Sequence, residues 1–254
     1  MQATLERRAQ RWVARWAGIA AMLLLAACAS PQKAAAPTAE LPSWNEGPSR
    51  TAILEFVQAV TQPGSPDFVA TDARIAVFDN DGTLWSEQPL YFQVLFALDR
   101  IKAMAPQHPE WATRQPFKAA IEGDKAALAK SGQAGLFKII GATHTQMSVD
   151  DFTQSVTQWT ATARHPRFNQ PYTAMTYAPM RELLDYLRAK GFKTYIVSGG
   201  ETEFMRPWAQ AAYGIPPEQV IGSSFVTTFE QRGGQPVLWR PVSYTHLRAH
   251  ETRG

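Results

Sequence analysis

Two short apolar runs, each leading into small polar residues, mark the strands that the sequence predicts most clearly. Residues 74–78 are mostly apolar and lead directly into Asp79, a pattern typical of a central parallel strand that is buried on both faces. Residues 193–197 form a second such run, which follows an amphipathic helical pattern over 180–190 and ends at Ser198. This succession predicts a parallel α/β fold, in which ligands bind at the carboxyl ends of the strands.

The stretch between these two strands has helical periodicity. Apolar residues recur three and four positions apart in three stripes, which we expect to form core. The stripes are Phe92, Leu95, Phe96, Leu98 and Ile101; Leu136, Ile139 and Ile140; and Phe152, Val156 and Trp159. Beyond residue 200 the pattern predicts a helix to Tyr213, a strand at 220–221 and a hairpin that turns at Gly233 and Gly234.

The first 27 residues resemble an export signal rather than part of the fold. Arginines precede an apolar run at 16–27, which is too short to span about 30 Å of hydrocarbon but suits a signal-peptide core. The run ends in Leu-Ala-Ala before Cys28, which resembles the bacterial lipobox. We therefore expect residues 1–27 to be removed and Cys28 to be lipidated. The alternative is a signal peptide cut elsewhere and an incidental cysteine.

Lipidation at Cys28 would anchor the exported protein at the periplasmic face of the cell envelope, in the outer membrane. Residues 28–47 are rich in Ala, Pro and Ser, which predicts a disordered tether. The chain has 25 basic and 22 acidic residues, but the basic excess lies in residues 1–27. Because the rest is formally neutral, no global charge favours nucleic acid or an anionic membrane surface.

The loop after the first predicted strand carries the candidate chemistry. Asp79 and Asp81 place two carboxylates at the end of a buried strand, where repulsion and desolvation oppose their joint ionisation. A cation or a shared proton relieves this cost, and Gly82 permits a tight turn whose N–H groups could face a phosphate. A calcium loop would need further oxygen ligands at alternate positions and a glutamate at its twelfth position, and Thr83 and Trp85 do not fit that pattern. A solvated turn or a helix cap is the remaining alternative.

Residues 79–84, Asp-Asn-Asp-Gly-Thr-Leu, resemble motif I of the haloacid dehalogenase (HAD) superfamily. Ser198 and the two glycines after it resemble motif II of its phosphoserine-phosphatase-like branch. The resemblance covers roughly residues 51–239. It implies an α/β fold with a Rossmannoid parallel sheet flanked by helices and an inserted helical cap. We expect the HAD core at 48–87 and 173–242 and the helical cap at 88–172.

The resemblance also implies roles for five residues. Asp79 is the nucleophile and a Mg²⁺ ligand, and Asp81 is the general acid and base and supplies a backbone carbonyl to Mg²⁺. Thr83, Ser198 and the amide of Gly199 bind the transferring phosphoryl group. Mg²⁺ is the implied cofactor. The second aspartate favours a phosphatase or phosphomutase, because dehalogenases of the superfamily lack it and its ion-pumping ATPases carry threonine there.

These features predict a Mg²⁺-dependent phosphomonoester hydrolase that forms an aspartyl-phosphate with a small phosphorylated metabolite. The alternatives are a phosphomutase, whose sugar phosphates are mostly cytosolic, and a non-catalytic envelope lipoprotein that binds phosphorylated ligands or envelope partners. The candidates for substrate contacts are Glu87, Trp85, Tyr91, Arg164 and Tyr172.

The family also uses a lysine and an acidic loop after motif II. This chain has no lysine after Lys193 and no acidic residue in the expected context. Arg206, Arg232 or Arg240 could offset the charge, although a guanidinium is a poor substitute for a positioned ammonium. Residues 243–254 resemble the translated read-through of a sequencing adapter. We therefore expect the natural protein to continue past about residue 241, and this chain to be an impaired enzyme with an uncovered sheet edge.

Overall fold

The computed structural model describes residues 40–241, and one compact unit contains those from Leu41 onward. The expected signal peptide at 1–27, the lipidation site Cys28, most of the expected tether and the expected non-native tail at 243–254 lie outside the described residues.

The predicted helices and strands are present, and the structure adds a short helix at Phe117–Glu122 and a two-residue strand at Met147–Ser148. The α-helices are α1 (Pro48–Thr61), α2 (Phe92–Met104), α3 (Phe117–Glu122), α4 (Lys125–His144), α5 (Val149–Thr162), α6 (Ala178–Ala189) and α7 (Thr202–Tyr213). The strands are β1 (Ile75–Phe78), β2 (Met147–Ser148), β3 (Lys193–Glu201), β4 (Val220–Ser223), β5 (Thr228–Arg232) and β6 (Gln235–Arg240). Short 3₁₀ helices lie at Thr71–Ala73, Ala105–Gln107, Pro109–Ala112, Tyr172–Ala174 and Pro217–Gln219.

A three-stranded parallel sheet positions the two loops of interest. Its strand order is β1-β3-β4, and Phe78 at the end of β1 is paired with Ile196 in β3. Asp79 and Ser198 therefore emerge at the same edge of the sheet, as parallel pairing requires. The helices α2 to α5 are inserted between β1 and β3. A parallel sheet flanked by helices, with a helical insertion after the first strand, confirms the predicted fold class.

The position of β1 differs from the expectation of a central strand buried on both faces. Within residues 40–241, β1 pairs with β3 alone, and Ile75 and Val77 are 56% and 57% exposed. The apolar sequence of β1 indicated burial, but β1 lies at the edge of the described sheet and one of its faces remains uncovered. The prediction was therefore wrong for that face.

The main core is aromatic, and most of it was predicted from the helical stripes. Phe92, Phe96, Phe152 and Val156 are fully buried and pack with residues of α7. Leu136 was expected in the core but is 36% exposed, because its side of α4 borders open cavities rather than another element.

The end of the expected tether is ordered, which corrects the prediction for residues 41–47. Leu41 is buried with residues of α1 and α6. The indole Nε1 of Trp44 donates to the carbonyl of Pro179 at 2.8 Å, and the amide of Ser43 donates to Glu182 Oε2 at 2.8 Å. The composition of this segment indicated disorder, but two large apolar side chains within it pack against α6.

A second, antiparallel sheet with the strand order β2-β6-β5 contains the predicted hairpin. Its strand β6 ends at Arg240, which is fully buried and pairs with β2 at Met147. In the part of the chain that the structure describes, no helix has the length and apolarity needed to cross a membrane.

Candidate active site

The loop after β1 is closed by its own backbone. The carbonyl of Asn80 accepts from the amide of Leu84 at 2.9 Å, and the amide of Gly82 donates to the carbonyl of Trp85 at 2.9 Å. Gly82 has φ of +72°, and a Cβ there would lie 3.0 Å from Cδ of Glu87, so both conformation and space favour glycine. The amide of Gly82 therefore closes the turn instead of facing a ligand.

The buried side chain of Asn80 connects this loop to the core. Its Oδ1 accepts from the hydroxyl of Tyr213 at 3.1 Å. Burial, with the nearby charge of Asp81, raises the pKa of Tyr213, so the hydroxyl keeps its proton and remains a donor. With Asn80 directed inward, the flanking carboxylates of Asp79 and Asp81 line the cavity above the loop.

Asp81 accepts a hydrogen bond from an indole and is repelled by two neighbouring carboxylates. Trp85 Nε1 donates to Asp81 Oδ1 at 2.6 Å. Burial raises the pKa of Asp81, and the charges of Asp79 and Glu87 raise it further, whereas the bond from Trp85 acts in the opposite direction. A carboxyl group with a raised pKa is suited to hold a proton and act as a general acid.

The second loop continues β3 beyond its predicted end. The strand extends to Glu201, with an irregularity between Val197 and Glu201. The amide of Gly200 donates to Ser198 Oγ at 3.2 Å. Gly222 in the neighbouring β4 approaches so closely that a Cβ there would lie 2.4 Å from the carbonyl oxygen of Gly200. The side of Gly199 is open, since a Cβ there would have no neighbour within 4 Å.

A cavity of about 500 Å³ lies above these two loops. It brings together Asp79, Asp81, Ser198 and Gly199 of the residues that the motifs indicated, but Thr83 does not line it. Of the candidate substrate contacts, Glu87 and Tyr91 line the cavity.

Three other candidate substrate contacts lie elsewhere. Trp85 and Tyr172 are buried in the aromatic core, and the guanidinium of Arg164 donates to the carbonyls of Ala161 and Ala163. Their aromatic or cationic character could not distinguish a ligand contact from core or surface packing.

A buried polar cluster behind the cavity was not predicted. Glu201 lines the cavity and forms an ion pair with Arg240. Gln93 lines it as well, accepts from the amide of Glu201 at 3.0 Å and donates to Glu201 Oε2 at 3.3 Å. His144 Nε2 lies 3.6 Å from the same oxygen. We define these four residues as the Glu201 cluster.

Burial dominates the protonation of the Glu201 cluster. It raises the pKa of Glu201 to about 7, although the charge of Arg240 opposes this. Burial also lowers the pKa of His144 well below its ordinary value, and the cations Arg240 and Arg100 lower it further. His144 is therefore neutral at pH 7, and Arg240 is the cation of this cluster.

The carboxylate of Asp79, together with the backbone carbonyl that the motif resemblance assigns to Asp81, fits a Mg²⁺ ion chemically. Mg²⁺ is usually held by one or two carboxylates together with waters and substrate phosphate oxygens. The carboxylates that raise the pKa of Asp81 create a repulsion that a divalent cation would relieve. Within residues 40–241, no three His, Cys, Asp or Glu side chains are grouped as a metal site. The described residues would therefore supply only part of the ligand set.

A parallel sheet with paired carboxylates after one strand and a serine after its neighbour is the architecture of an α/β enzyme with its ligand at the carboxyl edge. Residues 76–249 match the family of haloacid dehalogenase-like hydrolases, and the chain belongs to this family. Among curated proteins, none matches the sequence significantly.

Solved structures resemble this chain at low identity and with TM-scores below 0.5. A phosphoserine phosphohydrolase-like protein from Francisella tularensis is 20% identical, with a TM-score of 0.31, over 65% of this chain and 64% of its own. A protein of unknown function from Anaerococcus prevotii is 13% identical, with a TM-score of 0.43, over 74% and 69%. A HAD family hydrolase from Salmonella enterica is 19% identical, with a TM-score of 0.29, over 66% and 46%. This chain thus spans less than two thirds of the Francisella protein.

Proposed function

We propose that the protein is a Mg²⁺-dependent phosphomonoester hydrolase in which Asp79 forms an aspartyl-phosphate. The observation that carries this proposal is the joint presence of Asp79, Asp81, Ser198 and Gly199 around one cavity at the carboxyl edge of the sheet. A small phosphomonoester is the substrate class that suits a nucleophilic carboxylate beside a carboxyl group with a raised pKa.

In the proposed reaction, Asp79 attacks phosphorus and Asp81 gives its proton to the leaving oxygen. Asp81 then removes a proton from the water that hydrolyses the phosphorylated Asp79. Bound Mg²⁺ would be held by the carboxylate of Asp79 and the backbone carbonyl of Asp81 and would offset negative charge on the phosphoryl group.

The phosphate contacts of this proposal rest on Ser198 and the open backbone at Gly199. Ser198 Oγ already accepts from the amide of Gly200, so its hydroxyl hydrogen remains available to donate to a phosphate oxygen. We assign no phosphate contact to Thr83, because it does not line the cavity.

We expect slow turnover from this 254-residue chain. Of the described residues that line the cavity, none is Lys, Arg or His. A phosphate dianion next to Asp79 would therefore depend on the metal ion for positive charge.

The test is hydrolysis of p-nitrophenyl phosphate with Mg²⁺ by the parent protein and by Asp79→Asn. Loss of the nucleophile is expected to reduce kcat by on the order of 1000-fold. Asp72→Asn is the matched control, because Asp72 is an exposed aspartate near β1 that does not line the cavity. Equal rates for Asp79→Asn and the parent, or full activity after chelation of Mg²⁺, would contradict the proposal.

A non-catalytic phosphate-binding protein is the second candidate, because the described lining lacks the lysine that the family resemblance implies for catalysis. The same variant separates the two functions. Asp79→Asn would leave the affinity of a binding protein for a phosphonate largely intact, as measured by titration calorimetry. It would remove turnover only if the parent protein is an enzyme.

We further propose that the chain is exported and anchored in the envelope through a lipid on Cys28. The support is the lipobox-like sequence before this cysteine. Incorporation of labelled palmitate should be lost in Cys28→Ser, and the variant should leave the membrane fraction. Unchanged labelling and fractionation would contradict the anchor without affecting the proposed hydrolysis.

A further inference from the structure

Part of the lining of the proposed catalytic cavity is apolar and exposed. Its apolar lining consists of Val94 of α2, of Leu136, Phe137 and Ile140 of α4, and of Phe225. Leu136 and Phe137 are 36% and 40% exposed. Apolar side chains grouped around an open cavity are characteristic of a ligand contact, because exposure of such a group to water is unfavourable.

A second cavity of about 600 Å³ adjoins the first among α2, α3 and α4. Val94 and Leu136 line both cavities, so these two side chains form the boundary between them. The second cavity is mostly apolar and is lined by residues that include Leu95, Leu98 and Leu128. Together the two cavities offer a continuous apolar lining through Val94 and Leu136, and Asp79 lines only the first of them.

The charges around the first cavity disfavour a substrate that carries a second anion. Its described lining includes Asp79, Asp81, Glu87 and Glu201, and none of its described lining residues is basic. Arg240 is already paired with Glu201. Within this first cavity, the carboxylate of a phosphorylated amino acid would therefore enter a negative environment without a cationic partner, since Lys102 and Lys125 line only the second cavity.

We propose that the substrate is a phosphomonoester of an alkyl chain, with the phosphate at Asp79 and the chain extending past Val94 and Leu136 into the second cavity. This inference rests on the proposed function for the position of the phosphate. The protein would distinguish alkyl chains by their length, because each methylene that leaves water increases the affinity.

The test is a series of n-alkyl phosphates from ethyl to decyl, assayed with Mg²⁺ below the concentrations at which they aggregate. We expect kcat/KM to rise about fourfold for each methylene that becomes buried and then to reach a plateau. O-phosphoserine and phosphocholine serve as comparators with a charged remainder. A flat chain-length profile, or a preference for either comparator over octyl phosphate, would overturn the inference.

Ala129→Phe tests whether the chain enters the second cavity. Ala129 lies on an exposed part of α4 and lines this cavity but not the first. The larger side chain should lower kcat/KM for octyl phosphate about tenfold relative to kcat/KM for ethyl phosphate. Ala126→Phe is the matched control, since Ala126 is exposed on the same helix and lines neither cavity. Equal effects of both variants would overturn the placement of the chain.

Binding of n-alkylphosphonates, measured by calorimetry, separates this inference from the proposed function. Hydrolysis of p-nitrophenyl phosphate without any chain-length dependence in binding would refute the inference and leave the phosphatase intact. Chain-length-dependent phosphonate binding without hydrolysis of any ester would refute the phosphatase and leave the alkyl site intact.

Discussion

The indole Nε1 of Trp85 donates a hydrogen bond to Oδ1 of Asp81, with 2.6 Å between the two atoms. Trp85 is fully buried and stacks on Trp208, with 4.2 Å between the ring centroids. The packed core thus extends to the carboxyl group that we propose as the general acid. This donor holds one oxygen of Asp81 and opposes the rise in the pKa of Asp81 that burial causes.

Trp85→Phe is expected to raise the pKa of Asp81 further, because the hydrogen bond from Trp85 stabilises the ionised carboxylate. In the pH profile of kcat/KM for p-nitrophenyl phosphate, the fall that reports loss of the proton from Asp81 should therefore occur at higher pH. The loss of the buried donor should also reduce the free energy of unfolding by about 1–3 kcal/mol.

Trp208→Phe is the control for the loss of ring area. Within residues 40–241, Trp208 Nε1 is buried and has no hydrogen-bond partner. This substitution removes similar indole volume from the same stack but no bond to Asp81. It should leave the pH profile in place, and an equal displacement in both variants would show that packing, not the hydrogen bond, sets the profile.

Asp81→Asn is expected to lower the activity and to raise the stability of the protein. The carboxylate is partly buried near Asp79 and Glu87, whereas an asparagine amide can still accept from Trp85 without a charge. The free energy of unfolding at pH 7 without metal should rise by on the order of 1 kcal/mol. Loss of the general acid should lower kcat about 100-fold or more. Thermal unfolding and p-nitrophenyl phosphate assays check both, and a less stable variant would contradict the repulsion.

The part of the site that sequence could predict is the part that strand ends define. Asp79 and Ser198 each follow an apolar run, and parallel pairing places the carboxyl ends of neighbouring strands together. Strand pairing alone was therefore enough to predict that Asp79 and Ser198 lie near each other, without any information on side-chain packing. Thr83 shows the limit of a motif, because the turn that orders it does not direct it into the cavity.

The remainder of the cavity depends on contacts between distant segments. Glu201 is bonded to Gln93, 108 positions away, and is paired with Arg240 from another sheet. No local periodicity indicates such partners. The exposed faces of β1 and of Leu136 were mispredicted for a related reason, since apolar sequence indicates burial but not which element provides the cover.

Removal of the cation from the Glu201 cluster should be strongly destabilising. Arg240→Met leaves Glu201 without its guanidinium in a buried site, which is expected to cost about 3–5 kcal/mol of the free energy of unfolding. Chemical denaturation of the variant measures this loss. Adding Glu201→Leu should recover much of it, because the double variant removes the uncompensated carboxylate.

Arg232→Met provides the matched control on the same hairpin. Arg232 pairs with Glu230, and both side chains are substantially exposed. This change should cost about 1 kcal/mol or less, as is usual for a surface pair. Similar losses at Arg232 and Arg240 would contradict the importance that we attach to burial of the ion pair.

Glu201 and His144 should contribute opposite pH dependences to stability. The pKa of Glu201 is raised from 4.5 to about 7, so its contribution is complete below pH 4.5 and is lost as pH rises towards 7. The pKa of His144 is lowered well below 6.5, so its contribution is complete above pH 6.5 and is lost as pH falls. Between pH 4.5 and 6.5 the two slopes oppose each other in the parent protein.

Single variants should expose each slope. Glu201→Gln leaves His144, and the free energy of unfolding should then fall by about 1.4 kcal/mol for each pH unit below 6.5. His144→Gln leaves Glu201, and stability should then rise as pH falls from 7 to 5. Urea denaturation at several pH values measures both slopes relative to the parent protein. Since Arg240 does not titrate in this range, it shifts the absolute stability of each variant but not the slope. If the free energy of unfolding changed with pH in the same direction in both variants, the raised pKa of Glu201 and the lowered pKa of His144 would be contradicted.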